Sequence, residues 1–473
     1  MNAHPAQNTN TTPGYVCRRL TVIPDLVALH SRFPERYPHL LASVAHGTPR
    51  ARYDILFAFP GETLSLQADS RLYRDGQALG QGDFLSAFDR DWQGLAASAD
   101  AKGTPDNEAL PFTGGWFVYL GYELVTQIEP TVTGVRFDAT FPVACATRVP
   151  AAIIIDRAQQ QTWLMCESEQ AKQLMPVLEQ DVLTLMEAKT NTLIPIVAAV
   201  HEEEPRRFLG HVRLAQEYIR SGDVFQVNLS RLWRLTLPSP LHSAELYRRL
   251  CVTNPAPFAG MMTWGSDRAV ISSSPERLVA VRGRTVQTRP IAGTYPRSTD
   301  ATQDHALSQD LLHHPKERAE HVMLIDLERN DLGRVCRTGT VQVREFMTLE
   351  SYRHVHHIVS EVTGELREGI TPAQVIRAVF PGGTITGCPK VRCMQIIAEL
   401  EQAPRTAYTG SMGYINRDGS LDLNILIRTI VRNGQQISLR AGAGIVADSV
   451  PERELAETRA KARGMLAALG VSV

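Results

Sequence analysis

No apolar run in the 473-residue chain approaches the roughly 20 residues that a membrane-crossing helix needs. Its polar N-terminus lacks the apolar stretch of a secretory signal. Cys17, Cys145, Cys166, Cys251, Cys336, Cys388 and Cys393 are odd in number and scattered, with no CxxC pair. Neither a zinc site nor a disulfide framework is implied, and a reducing cytoplasm is the simplest home. Neither sign of charge dominates, because the formal net charge is -1. That removes any general electrostatic reason to expect nucleic acid or an anionic membrane as a partner. Neither GxxxxGK[ST] nor GxGxxG occurs, so nucleotide binding has no support. Internal repeats and low-complexity segments are also missing.

What is present is the make-up of a folded chain, 43% hydrophobic and 21% charged. The length suits two or three ordinary domains or one large intertwined one. Residues 1–14 read as a disordered tail, residues 15–200 as an N-terminal region and residues 208–469 as a catalytic one. Short β-rich runs such as Tyr53 to Phe59 and Ala151 to Ile155 alternate with turns in the first region. Ser168 to Lys189 carries the apolar stripe of a helix, with Pro176 placed to kink or break it. The polar stretch from Glu202 to Arg207 reads as a linker. Beyond it helices and strands alternate without a βαβ rhythm, which argues for an α+β fold.

Two acidic runs in the second half share one pattern. Pro315-Lys-Glu317-Arg-Ala-Glu320 and Pro451-Glu-Arg-Glu454-Leu-Ala-Glu457 each read as the first turns of a helix. Each places two carboxylates three residues apart, on one helix face. Acidic residues at a helix start are stabilised by the helix dipole alone. Two such faces brought together would repel unless a hard dication lay between them, and oxygen-rich sites of that kind suit magnesium. Around these runs, Gly382, Gly383, Gly387, Gly442 and Gly444 permit close approach of backbone to a ligand. Arg428, in the strand-like segment Leu421 to Val431, and Lys390 are free to pair with a carboxylate.

Taken in order, the blocks GDVFQVNLS, SSPE, RPIAGT, ERAEHVMLIDLERND, HHIVS, GGTITGCPK, DLNILIRT, GAGIVADS and ERELAET resemble one family. The chain is similar to the chorismate-utilising enzymes, specifically the large subunits of anthranilate synthase and aminodeoxychorismate synthase. The resemblance covers nearly the whole chain. It implies an α+β fold of two packed antiparallel β-sheets with helices outside and the N- and C-terminal parts intertwined. It also implies magnesium as cofactor and chorismate as substrate. By position, Glu276 matches the general acid that protonates the departing C4 hydroxyl. Glu317, Glu320, Glu454 and Glu457 match the magnesium carboxylates. His357 matches a histidine beside the reacting ring. Arg428, Tyr408, Gly444 and Lys461 match residues holding the substrate carboxylates, with Thr429 and Asn228 beside them. Gly293 and Thr294 match the loop under the ring.

Family members that add water place a lysine base where this chain has Gln226. A neutral amide cannot deprotonate water, so the resemblance implies ammonia as nucleophile, delivered by a separate glutaminase subunit. This chain has no GxCxG elbow of its own. Between the two ammonia users the signals divide. Gln226-Val-Asn228-Leu229 and the run from Arg52 to Pro60 resemble aminodeoxychorismate synthases, which serve 4-aminobenzoate and folate synthesis, while Asn254-Pro-Ala-Pro-Phe258 and Leu40-Leu-Ala-Ser43 depart from the forms usual in anthranilate synthases. Ala292 stands where those enzymes often carry a nucleophilic lysine, as it does in anthranilate synthases, and alanine cannot attack a substrate. A catalytically silent chorismate-binding subunit is the alternative from another class.

Overall fold

The strand Ala151–Asp156 is buried along its whole length, and its side chains divide by position. Ala151, Ile153 and Ile155 enter one apolar cluster, while Ala152 and Ile154 enter another. Gly115–Leu120 divides in the same way, with Trp116, Val118 and Leu120 on one side and Phe117 and Tyr119 on the other. Successive residues of a strand point to opposite faces, so strands this apolar must be covered on both. The fold meets that demand with two sheets face to face and helices on their outer sides.

This computed structural model describes residues 9–12, 14–44, 52–96, 110–185, 199–239, 241–298, 300–351 and 355–471. Every strand pairing in it is antiparallel. Among the described residues one sheet has 13 strands and the other 12. Each sheet is a composite. In the first, N-terminal strands meet C-terminal ones where His39–Ala42 pairs with Phe258–Trp264. In the second, the join is Gly115–Leu120 against Ser411–Asn416. The aromatic cluster of Phe57, Phe112, Phe117, Tyr119 and Tyr414 fills the space between the sheets. No helix of the described residues is long and apolar enough to cross a membrane.

Two neighbouring segments pass from one sheet to the other, and both carry chemistry. Arg268–Ser274 lies in the first sheet and Arg277–Arg282 in the second, so Glu276 occupies the crossing between them. Leu421–Asn424 lies in the second sheet and Thr429–Asn433 in the first, with Arg428 in that crossing. The crossings are tied together, since Ile425 N–H donates to Glu276 O at 3.0 Å and Ser273 N–H to Arg428 O at 3.2 Å. Leu421 to Val431 is therefore two strands with a break, not one.

Other expectations also change. Thr9–Thr12, within the segment that reads as a disordered tail, forms a strand paired with Tyr15–Leu20. The stretch that reads as a linker is ordered: Ala199–Glu202 pairs with the strand Gln226–Thr236, and a helix begins at Pro205. Pro176 lies inside the helix Ala171–Leu185 without ending it, and the stretch expected beyond Leu185 falls outside the described residues. Gly293 and Thr294, matched to a loop, lie in the strand Ile291–Pro296, which bulges at Gly293, where φ is +67°.

Candidate active site

The two acidic runs do begin helices. Pro315–Gly333 and Pro451–Ala468 each start with proline at the first helical position, where a missing N–H costs nothing. Neither has a side-chain N-cap, so first-turn carboxylates are the groups that meet the positive end of each dipole. The first helix is pinned by fully buried His321, whose Nε2 lies 2.7 Å from Ser360 Oγ on the strand Val355–Glu365. That strand also carries His357. The second helix packs on the strand Gln436–Ile445, and Lys461 Nζ donates to Gly442 O at 3.0 Å.

Within each helix the paired carboxylates feel one another. Burial raises the pKa of Glu320 and Glu317 adds to it, while a bond from Gln226 opposes. Burial also raises Glu454, which Ser449 opposes and Glu457 reinforces. Lys316 bridges to Asp448 at 3.0 Å, so the two helix starts face one another. Among the described residues no three acidic, histidine or cysteine side chains are gathered into a metal cluster. Glu320 accepts from Gln226 Nε2 at 2.7 Å, and Glu457 pairs with Lys461 at 2.6 Å. The donor chemistry fits a hard dication, which would relieve the repulsion within both pairs. An amide and an ammonium satisfy one carboxylate of each pair here.

Glu276 is 5% exposed. Burial pushes its carboxyl up to about 7, against the Thr384 hydroxyl, the Ile291 N–H, Lys461 and Arg428, which hold it down. It thus keeps a proton into the neutral range, as a general acid must. His357 is the reverse case. Burial lowers it to about 4 despite the Gly293 backbone, leaving a neutral imidazole. Thr294 lies opposite His357 in the ladder, and Ala292, 6% exposed, lies opposite Ile358.

Buried Gln226 Oε1 and Asn228 Oδ1 have no hydrogen-bond partner, and Thr384 Oγ1 and Glu276 face one another without a well-formed bond. Other buried polar atoms elsewhere in the described residues are also unpartnered, so these mark a place for a polar ligand through their position beside the glycine floor. Gly444 lies opposite Asn228, and a Cβ there would collide with Gln226 Nε2. A Cβ at Gly442 would meet the Tyr408 hydroxyl and Asn228 Oδ1. Side-chain atoms of Gln226, Asn228 and Tyr408 thus crowd onto a floor that only glycine leaves open. A Cβ at Gly293 would lie 3.0 Å from Glu317 Oε2.

Arg428 is held at φ +52°, a left-handed conformation that costs a non-glycine residue about 1 kcal/mol or more. Its half-buried guanidinium makes no ion pair with a described carboxylate. Desolvation lowers its pKa, and Tyr408, Glu457 and Glu276 supply the opposing field. A strained, desolvated and unpaired guanidinium beside Tyr408 is built to receive an anion. Thr429 does not point to such a group, since its hydroxyl is shared by Ile427 O at 3.0 Å and Ser272 Oγ at 2.9 Å. Lys390 likewise turns away, bridged to Asp331 and to Val379 O.

The structure adds three participants without a role in the sequence reading, Thr384 and Glu328 inside the quoted blocks and Arg405 outside them. Thr384 faces Glu276 from the Gly-rich turn. Glu328 is buried, and burial and then Asp331 push it up to about 8, with Glu276 adding to the rise. Arg405 lies behind Tyr408, with its ring centroid 5.5 Å from the guanidinium. The repeated acid-plus-basic composition of LERND was the available signal for Glu328. Nothing in the sequence marks Arg405.

A buried proton donor, an unpaired guanidinium and two facing carboxylate pairs around one polar floor define a site for an acidic substrate. The chain belongs to the chorismate binding enzyme family, whose model matches residues 48–467. It is a chorismate-utilising enzyme. It is 39% identical over 448 residues to aminodeoxychorismate synthase component 1 of Bacillus subtilis, covering 92% of this chain and 93% of that one. It is 43% identical over 364 residues to an anthranilate synthase component I-like protein of Synechocystis, covering 76% and 74%. The crystal structure of anthranilate synthase component I from Streptococcus pneumoniae superposes with a TM-score of 0.73 at 32% identity, covering 89% and 93%.

Proposed function

We propose that the chain is the synthase subunit that converts chorismate and ammonia to 4-amino-4-deoxychorismate, with a separate glutaminase subunit supplying the ammonia. The observation that carries amination is Gln226. Its amide nitrogen lies against the Gly444 floor and donates to Glu320, which leaves its buried carbonyl oxygen, a group without basic character, unpartnered. Such an oxygen accepts N–H bonds from ammonia but cannot deprotonate water.

Arg428 and Tyr408 receive substrate carboxylate, with Lys461 held nearby by Gly442 O and Glu457. Glu276 gives its proton to the C4 hydroxyl, which leaves as water. Neutral His357 stands beside the ring. Glu317, Glu320, Glu454 and Glu457 would hold magnesium, which would supply charge stabilisation at a substrate carboxylate when bound. Ala292 offers no nucleophile, so for the 4-amino product ammonia itself must form the new bond at C4 as the C4–O bond breaks, its surplus proton returning to the Glu276 carboxylate.

Asn228 and the Asn254 to Phe258 block favour the aminodeoxy product. Ala292 favours the second reading, in which pyruvate is also eliminated and anthranilate results. Incubation with chorismate, magnesium and ammonium at mildly alkaline pH separates the two. The expected product becomes 4-aminobenzoate only after the matching lyase is added. Fluorescent anthranilate formed without lyase refutes the aminodeoxy assignment. No turnover under either condition supports a silent subunit.

A further inference from the structure

Behind the Tyr408 ring lies a buried ion pair with an unusual number of attachments. Glu401 ends the helix Lys390–Glu401, and Gln402 follows with φ +49°, turning the chain back on itself. That turn brings Arg405 onto Glu401, with Nε to Oε2 at 2.9 Å and Nη2 to Oε1 at 2.6 Å. Glu401 Oε1 also accepts from the Ser230 backbone at 2.8 Å and hydroxyl at 2.9 Å. Both residues of the pair are almost completely buried.

Arg405 does not stop at its carboxylate. Its guanidinium donates to Asn228 O at 2.9 Å, to Thr409 Oγ1 at 3.2 Å and to Ile385 O at 3.4 Å. It lies 4.9 Å from the Tyr122 ring centroid and 5.5 Å from that of Tyr408. Its own backbone carbonyl accepts the Tyr408 N–H at 2.9 Å. Its own N–H and that of Thr406 are both held by Glu123 Oε1, at 2.8 and 2.9 Å. One residue therefore touches the floor strand at Asn228, the Gly-rich turn at Ile385 and the Tyr408 turn at two points. A water-sized cavity of about 30 Å³ borders Arg405, Tyr408, Thr429 and Arg440. It is space into which an unbraced Tyr408 ring can relax.

We propose that Arg405 is a positioning residue for the substrate-carboxylate pocket: it fixes the Tyr408 ring and the Asn228 backbone beneath the substrate without touching it. The proposal rests on the reading that Tyr408 holds a substrate carboxylate. A planar fork is required, because five donors in fixed directions reach acceptors on four different segments. Lysine would keep the charge opposite Glu401 and lose the geometry.

The test is chorismate affinity and steady-state kinetics of Arg405→Lys, Tyr408→Leu and the double variant, in magnesium and ammonium. Loss of a charge-assisted contact at one remove predicts a KM and dissociation constant for chorismate raised roughly tenfold in Arg405→Lys. Turnover number should change far less, since the pocket binds substrate and transition state alike. In the Tyr408→Leu background the same change should have little further effect. Full additivity in the double variant, or a lowered melting temperature with chorismate affinity unchanged, overturns the proposal. Tyr122→Leu, which leaves the ion pair intact, should weaken chorismate in the same direction by roughly threefold; unchanged affinity there also counts against it. Product identity is read separately, so a chain that binds chorismate and makes another product refutes the functional reading and leaves this test standing. A wild-type chain that fails to bind chorismate overturns both.

Discussion

Glu276→Gln should remove activity and, at alkaline pH, make the protein more stable. The carboxyl is raised from its ordinary 4.5 to about 7, chiefly by burial. The folded state thus holds this proton more tightly than the unfolded state. Stability from Glu276 is fully present below about pH 4.5 and is lost as pH rises through about 7. At about 1.4 kcal/mol per pH unit across that interval, ionising the folded acid costs about 3 kcal/mol. Glutamine has the same shape and no charge to desolvate. For a chain of this length, unfolding entropy near 2 cal/mol/K per residue converts that to a gain of about 3 °C. Melting curves of both proteins at pH 4.5 and pH 8.5 measure it. The variant should gain most of this advantage only at the higher pH. In parallel, wild-type turnover should fall about tenfold per unit above the acid's pKa. A melting difference that does not depend on pH would refute burial as the source of the proton.

Two other perturbations probe the opposite wall. Glu320→Ala should lose activity that added magnesium does not restore; full activity would remove Glu320 from the metal set. Gly444→Ala places a methyl group against Gln226 Nε2 and should displace it from Glu320. The fold should survive, because the position faces the open floor, while amination falls about a hundredfold, the scale of roughly 3 kcal/mol of lost orientation. Near-normal turnover with ammonium would show that Gln226 is not part of the site.

Much of the site was legible because its elements are short and locally determined. Proline at the first position followed by spaced carboxylates forms a helix start in almost any surroundings, and both acidic helices begin where the sequence places them. Strands buried on both faces, such as Ala151–Asp156, are equally plain. Tertiary pairing decided the elements that were not. Thr9–Thr12 has a polar composition and becomes a strand only because Tyr15–Leu20 offers an edge. Glu202 and Glu203 look solvated, yet the Glu203 N–H bonds to Leu232 O and its carboxylate to the Leu232 N–H. Leu421 to Val431 is apolar enough for one strand, and no local signal announces that it changes sheets at Arg428. Arg405 was invisible for the same reason: its partners on Asn228, Ile385 and Tyr122 are scattered along the chain.

The joins between N- and C-terminal strands have a consequence for how the chain is made. His39–Ala42 must wait for Phe258–Trp264, and Gly115–Leu120 for Ser411–Asn416, before either sheet is whole. During synthesis the early strands therefore emerge with open edges and no lasting partner. The first sheet also needs Gln436–Ile445 to close around Gln226–Thr236. A ribosome that stalls late releases a chain that has nearly all its residues and no finished active site.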